Sequence, residues 1–261
     1  MLAFTTQELS AYVMAFFWPF VRIAAFVGTA PIFGESAIPR RARVGLALLI
    51  TIAIAPALNI TPEVPAFSYP GVWVIVREIL IGSALGLTMR LAFGVAQATG
   101  TFVGMQMGLG FASFYSAALG GNAMILGRIL NTVAMLLFLA INGHLVMLAL
   151  LMQTFDVLPV GIGALDASGW ALAAKTGTLV FTTGLSLALP LIGTLLTINL
   201  AMGILNRASP QLSIFSVGFP MTLLAGVTVF MFMMPEIGPW FRHLFAEFFE
   251  RVSEIMHLLA P

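Results

Sequence analysis

Long apolar runs dominate this chain, and short polar or Pro/Gly-rich pieces separate them. A helix needs about 20 apolar residues to cross a hydrocarbon layer of ~30 Å. Six segments approach that length, at 11–33, 44–60, 72–93, 129–151, 178–205 and 212–234. Pro56, Pro62, Pro65 and Pro70 close one connection, and Pro159, Gly161 and Gly163 another. Basic residues fall on alternate connections: Arg40, Arg41 and Arg43 after the first segment, Arg90 and Arg128 around the piece after the third, Arg207 after the fifth. Glu8, Glu63, Asp156, Asp166 and Glu236 lie on the opposite side, which predicts both termini outside the cytoplasm. Residues 1–10 contain Glu8 and no Lys or Arg, unlike the basic start of a cleaved signal peptide, so the first apolar segment is expected to be retained.

A second periodicity overlies the third segment. Ala92, Ala96, Gly100, Gly104 and Gly108 recur at every fourth position, and Gly82, Gly86 and Gly94 extend the pattern backwards. Small residues on one helical stripe let helix backbones approach closely in a membrane, where little hydrophobic drive exists between helices. The end of the chain has a different pattern. Over 239–259, Phe241, Leu244, Phe245, Phe248, Phe249, Val252 and Met256 alternate with Arg242, Glu247, Glu250, Arg251 and Glu254, predicting an amphipathic helix.

Composition supports an integral membrane protein. Of the 261 residues 60% are hydrophobic and only 8% charged, with a mean hydropathy of +1.06. A net charge of +1 gives no basic surface for nucleic acid. The chain has no Cys, which excludes disulfides, thiol nucleophiles and Cys-ligated metals. His144, His243 and His257 lack metal-ligand spacing, Lys175 is the only Lys, and no phosphate-binding Gly-rich loop ends in Lys-Ser or Lys-Thr. Asp156 and Asp166 flank a Pro/Gly turn and have the pattern of solvated loop acids. No enzyme, cofactor or metal site is expected.

Several polar groups sit inside the apolar segments: Arg22, Arg77, Glu78, Asn131, Asn142, His144 and Asn199. A lone Arg at a bilayer centre costs roughly 2.5–3.5 kcal/mol on insertion scales. Arg22, Glu78, Asn142 and His144 are therefore expected to be buried polar groups that snorkel, pair within a bundle, or face partner subunits. Their spacing specifies no proton relay. Asn131, Met135, Phe138 and Asn142 would share one face if 129–151 were a continuous helix.

Two segments carry more information than hydropathy. The first is Gln106-Met107-Gly108-Leu109-Gly110-Phe111-Ala112-Ser113-Phe114-Tyr115, which is rich in both Gly and aromatics. Two roles fit it: its aromatics anchor at the membrane interface, or a Gly-hinged loop lays apolar bulk across a pore and closes it by dewetting. The second is the turn from Asn206 and Arg207 through Pro210 and Gln211 to Phe219 and Pro220. It is longer and more specific than a hairpin in lipid requires, and suits contact with another protein.

Both segments resemble the FliR family, the R subunits of the flagellar type III export gate. The turn Asn206-Arg207-Ala208-Ser209-Pro210-Gln211-Leu212-Ser213-Ile214-Phe215-Ser216-Val217-Gly218-Phe219-Pro220 follows the family pattern, with Ser213 where Asn is usual. The resemblance extends to Ala30-Pro31-Ile32-Phe33-Gly34, to Ile38 through Ala47, and to Phe138 through Leu145. At Tyr115-Ser116 the family often has Asp-Pro.

The resemblance implies an all-α integral membrane protein of about six long apolar helices arranged as broken helical hairpins. Residues 1–175 would be similar to the P subunit, with a plug loop near 106–122 built from Met107, Gly108, Leu109, Gly110, Phe111, Phe114 and Tyr115. Residues 176–261 would form a hairpin similar to the Q subunit, plus the amphipathic tail. Gly82, Gly86, Gly100, Gly104, Asn206, Arg207, Pro210, Gln211, Phe219 and Pro220 would serve subunit packing.

The implied partners are the P and Q subunits, a B-type subunit at the cytoplasmic side, membrane lipid and unfolded flagellar proteins as substrates. The implied place is the flagellar basal body in the bacterial inner membrane. A stand-alone small secondary transporter or channel is the alternative, although no repeat relates the two halves. The homologous virulence secretion gate is another.

Overall fold

The computed structural model describes residues 6–58, 64–65, 68–109, 125–208 and 218–260, with side chains from Val13 onward. Regular structure among these residues is helical: α1 Thr6–Thr29, α2 Arg40–Ile54, a 3-10 turn Ala55–Ala57, α3 Tyr69–Gln106, α4 Ile125–Ala140, α5 Gly143–Val157, α6 Ala167–Thr176, α7 Leu179–Ala208 and α8 Phe219–Leu259.

Three described stretches are long and apolar enough to cross a membrane: Tyr69–Gln106, Ala167–Ala208 and Phe219–Leu259. The pair α4 and α5 adds a fourth if counted as one broken span. These boundaries differ from the six expected segments for identifiable reasons. The second segment yields only the 15 residues of α2, about 22 Å of helix at 1.5 Å per residue. The third runs on through the small-residue stripe to Gln106, making α3 38 residues long. The fourth breaks at Ile141–Asn142, where Asn142 adopts φ 57°. An Asn tolerates this left-handed backbone because its short side chain can bond locally, so Asn142 leaves the face expected to carry Asn131, Met135 and Phe138. The sixth joins the amphipathic tail in one 41-residue helix that runs through Pro235 and Pro239.

The chain forms two compact units, each discontinuous in sequence. One comprises Met1–Leu91, Asn142–Gly177 and Ala246–Pro261. Here α1 leads into a tight turn in which the Phe33 N–H donates to the Pro31 carbonyl at 2.8 Å, with Ile32 at φ 68°. A β-branched residue in this conformation stores about 1–2 kcal/mol. The turn delivers Pro39 to the start of α2, which packs Ala47, Thr51 and Ile54 inward. Trp18 and Val74 form a small core with Met14, Phe17, Ile75 and Val160 around them. In the same unit Asp166 caps α6, accepting from the Ser168 backbone N–H at 2.7 Å. Hydrogen bonding from the Ser168 side chain and backbone holds the Asp166 carboxyl below its ordinary range. The Asp166 N–H and the Ser168 hydroxyl in turn donate to the carbonyls of Leu259 and Leu258, closing the end of α8.

The second unit comprises Ala92–Ile141 and Thr178–Phe245. Val103, Met107, Ala188, Leu191 and Leu195 are buried together. Phe93, Phe138, Phe241 and Phe245 form an aromatic cluster, with the Phe138 and Phe245 ring centroids 5.0 Å apart. The stripe explains how α3 enters this unit. A Cβ on Gly100 would lie 2.5 Å from the Gly127 Cα, so α3 and α4 touch backbone to backbone. Around Gly104 the nearest atoms are side-chain carbons of Leu126 and Leu109, at 3.7 and 3.8 Å from an added Cβ.

Gly100→Ala should therefore force the helices apart and lower stability by about 1–3 kcal/mol. Gly104→Ala should be nearly neutral. Thermal unfolding of the detergent-solubilised protein measures both, and equal effects would contradict a backbone contact at Gly100 alone.

Candidate functional site

Two constellations gather most of the singled-out residues that the structure describes. The first lies where α1, α3 and the end of α5 meet. Arg22, Glu78 and Arg77 are 0%, 0% and 4% exposed, so their charges are settled by protein groups alone. The Arg22 Nε donates to Glu78 Oε2. Its Nη1 donates to the Thr154 carbonyl at 2.8 Å and to Thr154 Oγ1 at 3.1 Å, and its Nη2 to the Leu158 carbonyl at 2.7 Å. Phe155 places its ring centroid 4.2 Å from the Arg22 guanidinium carbon, a cation–π distance. Arg77 Nη1 donates to Glu78 Oε1 at 3.2 Å and to the Pro159 carbonyl at 2.8 Å.

Two cations thus share one carboxylate and the carbonyl end of a helix. That end carries partial negative charge and unpaired acceptors, which complement the excess cation. Only a planar fork can reach all these acceptors together, which is why Arg22 is not replaceable by Lys on geometric grounds. The approach itself depends on glycine. Gly82 lies one turn after Glu78, and a Cβ there would collide with the Arg22 carbonyl oxygen and Phe26 N; Gly86 meets Thr29 and Ala30 in the same way. The stripe and the buried charges are therefore parts of one contact.

His144 and Asn142 do not join this cluster. Asn142 is exposed, which corrects the expectation that it is buried. His144 is half-buried, and its Nδ1 is buried without a hydrogen-bond partner.

The second constellation is the end of α3. The Gly108 N–H donates to the Met105 carbonyl at 3.1 Å and the Leu109 N–H to the Gly104 carbonyl at 3.0 Å. With Gly108 at φ 80°, this is a Schellman helix stop, and glycine is what the left-handed position requires. The stop is fastened to the start of α8. A Cβ on Gly108 would lie 3.1 Å from the Phe219 ring, the Met107 side chain fills the space beside Gly226, and the Thr222 hydroxyl reaches the Met107 carbonyl at 3.4 Å. The entry to the Gly-rich loop and the exit of the 206–220 turn are thereby brought together. Gly110, Phe111, Phe114 and Tyr115 lie outside the described residues, as do Pro210 and Gln211. At the other end of that turn Arg207 occupies the last turn of α7 and is exposed, with Asn206 half-buried; Phe219 and Pro220 are exposed at the start of α8.

Sequence patterning had not singled out the acceptors Thr154 and Leu158, nor Gly127, Thr222 and Gly226, and it read Pro159 only as closing a connection. The Leu-Pro that ends α5 was readable as a helix stop, but which cation meets it is a tertiary fact.

Residues 13–248 match the model of the bacterial export proteins, family 1. The flagellar biosynthetic protein FliR of Escherichia coli strain K12 is 46% identical over 256 residues, covering 98% of each chain. That of Pectobacterium carotovorum subsp. carotovorum is 46% identical over 260 residues, covering 100% of this chain and 99% of its own. The Bacillus subtilis strain 168 protein of that name is 27% identical over 254 residues, 94% of this chain and 95% of its own. The chain belongs to this family of bacterial export proteins. Within it, the chain is a membrane component of the flagellar export apparatus.

Removing Glu78 would leave two buried cations with no carboxylate. Glu78→Gln should lower stability by about 3–5 kcal/mol. Arg77→Gln should have a smaller effect, because Arg22 and Glu78 remain paired. Yield of monodisperse protein across a heating series separates them, and a harmless Glu78→Gln would remove the pair from the structural core.

Proposed function

We propose that this chain helps form and seal the channel through which the flagellar type III export gate passes unfolded flagellar proteins across the inner membrane. Its place is the basal body, beside P and Q subunits and a B-type subunit at the cytoplasmic side. Residues 1–175 act as the P-like part and 176–261 as the Q-like hairpin with its tail, the whole forming broken hairpins. It works by shape and packing, with energy supplied elsewhere in the apparatus.

The observation that carries the sealing role is the anchored exit at Met107–Leu109. A plug has to be mobile where it blocks and fixed where it begins. The Schellman stop and its fastening to Phe219, Thr222 and Gly226 supply the fixed point. The residues that follow, with Phe111 and Phe114, supply apolar bulk of the kind that dewets a constriction. Subunit contact is supported by the stretches Ala167–Ala208 and Phe219–Leu259, whose most apolar parts are only 22% and 17% buried within the chain, against 61% for α3.

Deleting 109–114, or replacing Phe111 and Phe114 with Ala, should make the assembled gate leak. Cells should become sensitive to normally excluded solutes, and purified complexes in bilayers should conduct without substrate. The same variant without partner subunits should not conduct, since no lumen forms. An assembled variant as tight as the parent would reduce the loop to an interface anchor.

Arg207 tests the packing role. A simple cytoplasmic anchor tolerates Lys, whereas a forked contact with a neighbouring subunit does not. Arg207→Lys should reduce motility and export while membrane insertion stays normal, and full motility would return Arg207 to the anchor role.

A further inference from the structure

Three arginines stand together at the start of α2, and the structure separates their roles. Arg43 folds back, its Nε and Nη2 donating to the Ile38 carbonyl at 3.1 and 3.0 Å. It locks the preceding turn and is not free to serve anything else. Arg40 and Arg41 are exposed, and neither makes an ion pair among the described residues. The first turn of α2 holds no acid, so nothing within the helix offsets two cations placed at its positive end.

The rest of α2 is unusual in the opposite sense. Arg41, Val44, Leu48 and Ile52 fall at 3-4 spacing along one face, and all four are exposed; Leu49 beside them is 67% exposed. The opposite face, with Ala47, Thr51 and Ile54, is buried. At 15 residues the helix is too short to span a bilayer. An exposed apolar stripe with two unpaired cations at one end matches a membrane surface: acyl chains meet the stripe and phosphates meet the cations.

We propose that α2 is a lipid-docking element whose Arg40 and Arg41 bind the headgroups of anionic phospholipid. The occupant follows from charge: an anionic headgroup above an acyl chain complements both parts of this face, and an uncharged lipid only one. Anchoring through α2 would fix the height of the 30–39 connection at the headgroup level, independently of how the plug or partner contacts work.

The absence of Cys makes the test clean, because Leu49→Cys gives the full chain a single labelling site. The bimane-labelled protein is reconstituted in phosphatidylcholine bilayers containing equal fractions of either brominated phosphatidylglycerol or brominated phosphatidylcholine. Quenching should favour the anionic lipid, by about fivefold for each arginine engaged, and the preference should weaken as salt is raised. It should fall towards unity in Arg40→Gln/Arg41→Gln and survive in Arg40→Lys/Arg41→Lys, which also guards against a misfolded Gln variant. Equal quenching in the parent, or an unchanged preference in the Gln variant, overturns the proposal. So does a label that neither lipid quenches in the co-purified assembly, since a protein would then cover the face.

Discussion

A guanidinium held away from water must find a full set of acceptors inside the protein, and Arg22 is the group on which that demand falls hardest. Its contacts reach Glu78, 56 positions away, and Thr154 and Leu158, 132 and 136 positions away. Satisfying them fixes the rotation of α1, the depth of α3 and the point at which α5 stops. The glycines at 82 and 86 are the geometric condition for this, since any side chain there would hold α1 off α3. The buried pair is therefore better understood as a specification of register than as a source of net stability. Replacing it with well-packed apolar residues could leave a stable protein without a unique alignment of helices.

The same chain treats its other helices differently. The most apolar part of α3 is 61% buried within the chain, while those of Ala167–Ala208 and Phe219–Leu259 are only 22% and 17% buried. The exposed hydroxyls of Thr194 and Thr197 on α7 and Thr228 on α8 are answered locally, each donating to the carbonyl four residues back. A helix whose polar groups are satisfied internally can face lipid or another protein with little penalty. For a component of an export apparatus, this divides the molecule into a self-satisfied part and surfaces left for assembly.

Much of this was legible in the sequence, in proportion to how local the cause was. The all-helical membrane class follows from long apolar runs, and the exit at Met107–Leu109 from a Gly-rich interruption. Buried charge at Arg22 and Glu78 could be expected from their position in apolar segments. Their pairing could not, because helix orientation decides it. The bounds of the helices differ from the expected segments. The third expected segment ended at 93, yet α3 continues through Gly94, Gly100 and Gly104 to Gln106, with Gly94 beside Val180 of α7 and Gly100 against the backbone of α4. The sixth expected segment ended at 234 and the tail began at 239, yet α8 runs through Pro235 and Pro239 as one helix. In the reverse case, Asn142-Gly143 is a turn signal embedded in an apolar run, and the run masked it.

The reach of Arg22 also bears on how the protein is made. Its acceptors on α5 leave the ribosome 136 residues after it does. At about 5–20 residues per second that is an interval of roughly 7–27 s. Throughout it, α1 has begun to insert with a cation whose partners are unfinished, and Glu78 arrives alone in the middle of the interval. The nascent chain has to keep Arg22 near headgroups, or in the shelter of the insertion machinery, until α5 is complete. Birth order therefore sets a waiting period into this fold, and a nearly finished chain, cut before Leu158, would leave the Nη2 of Arg22 without its acceptor.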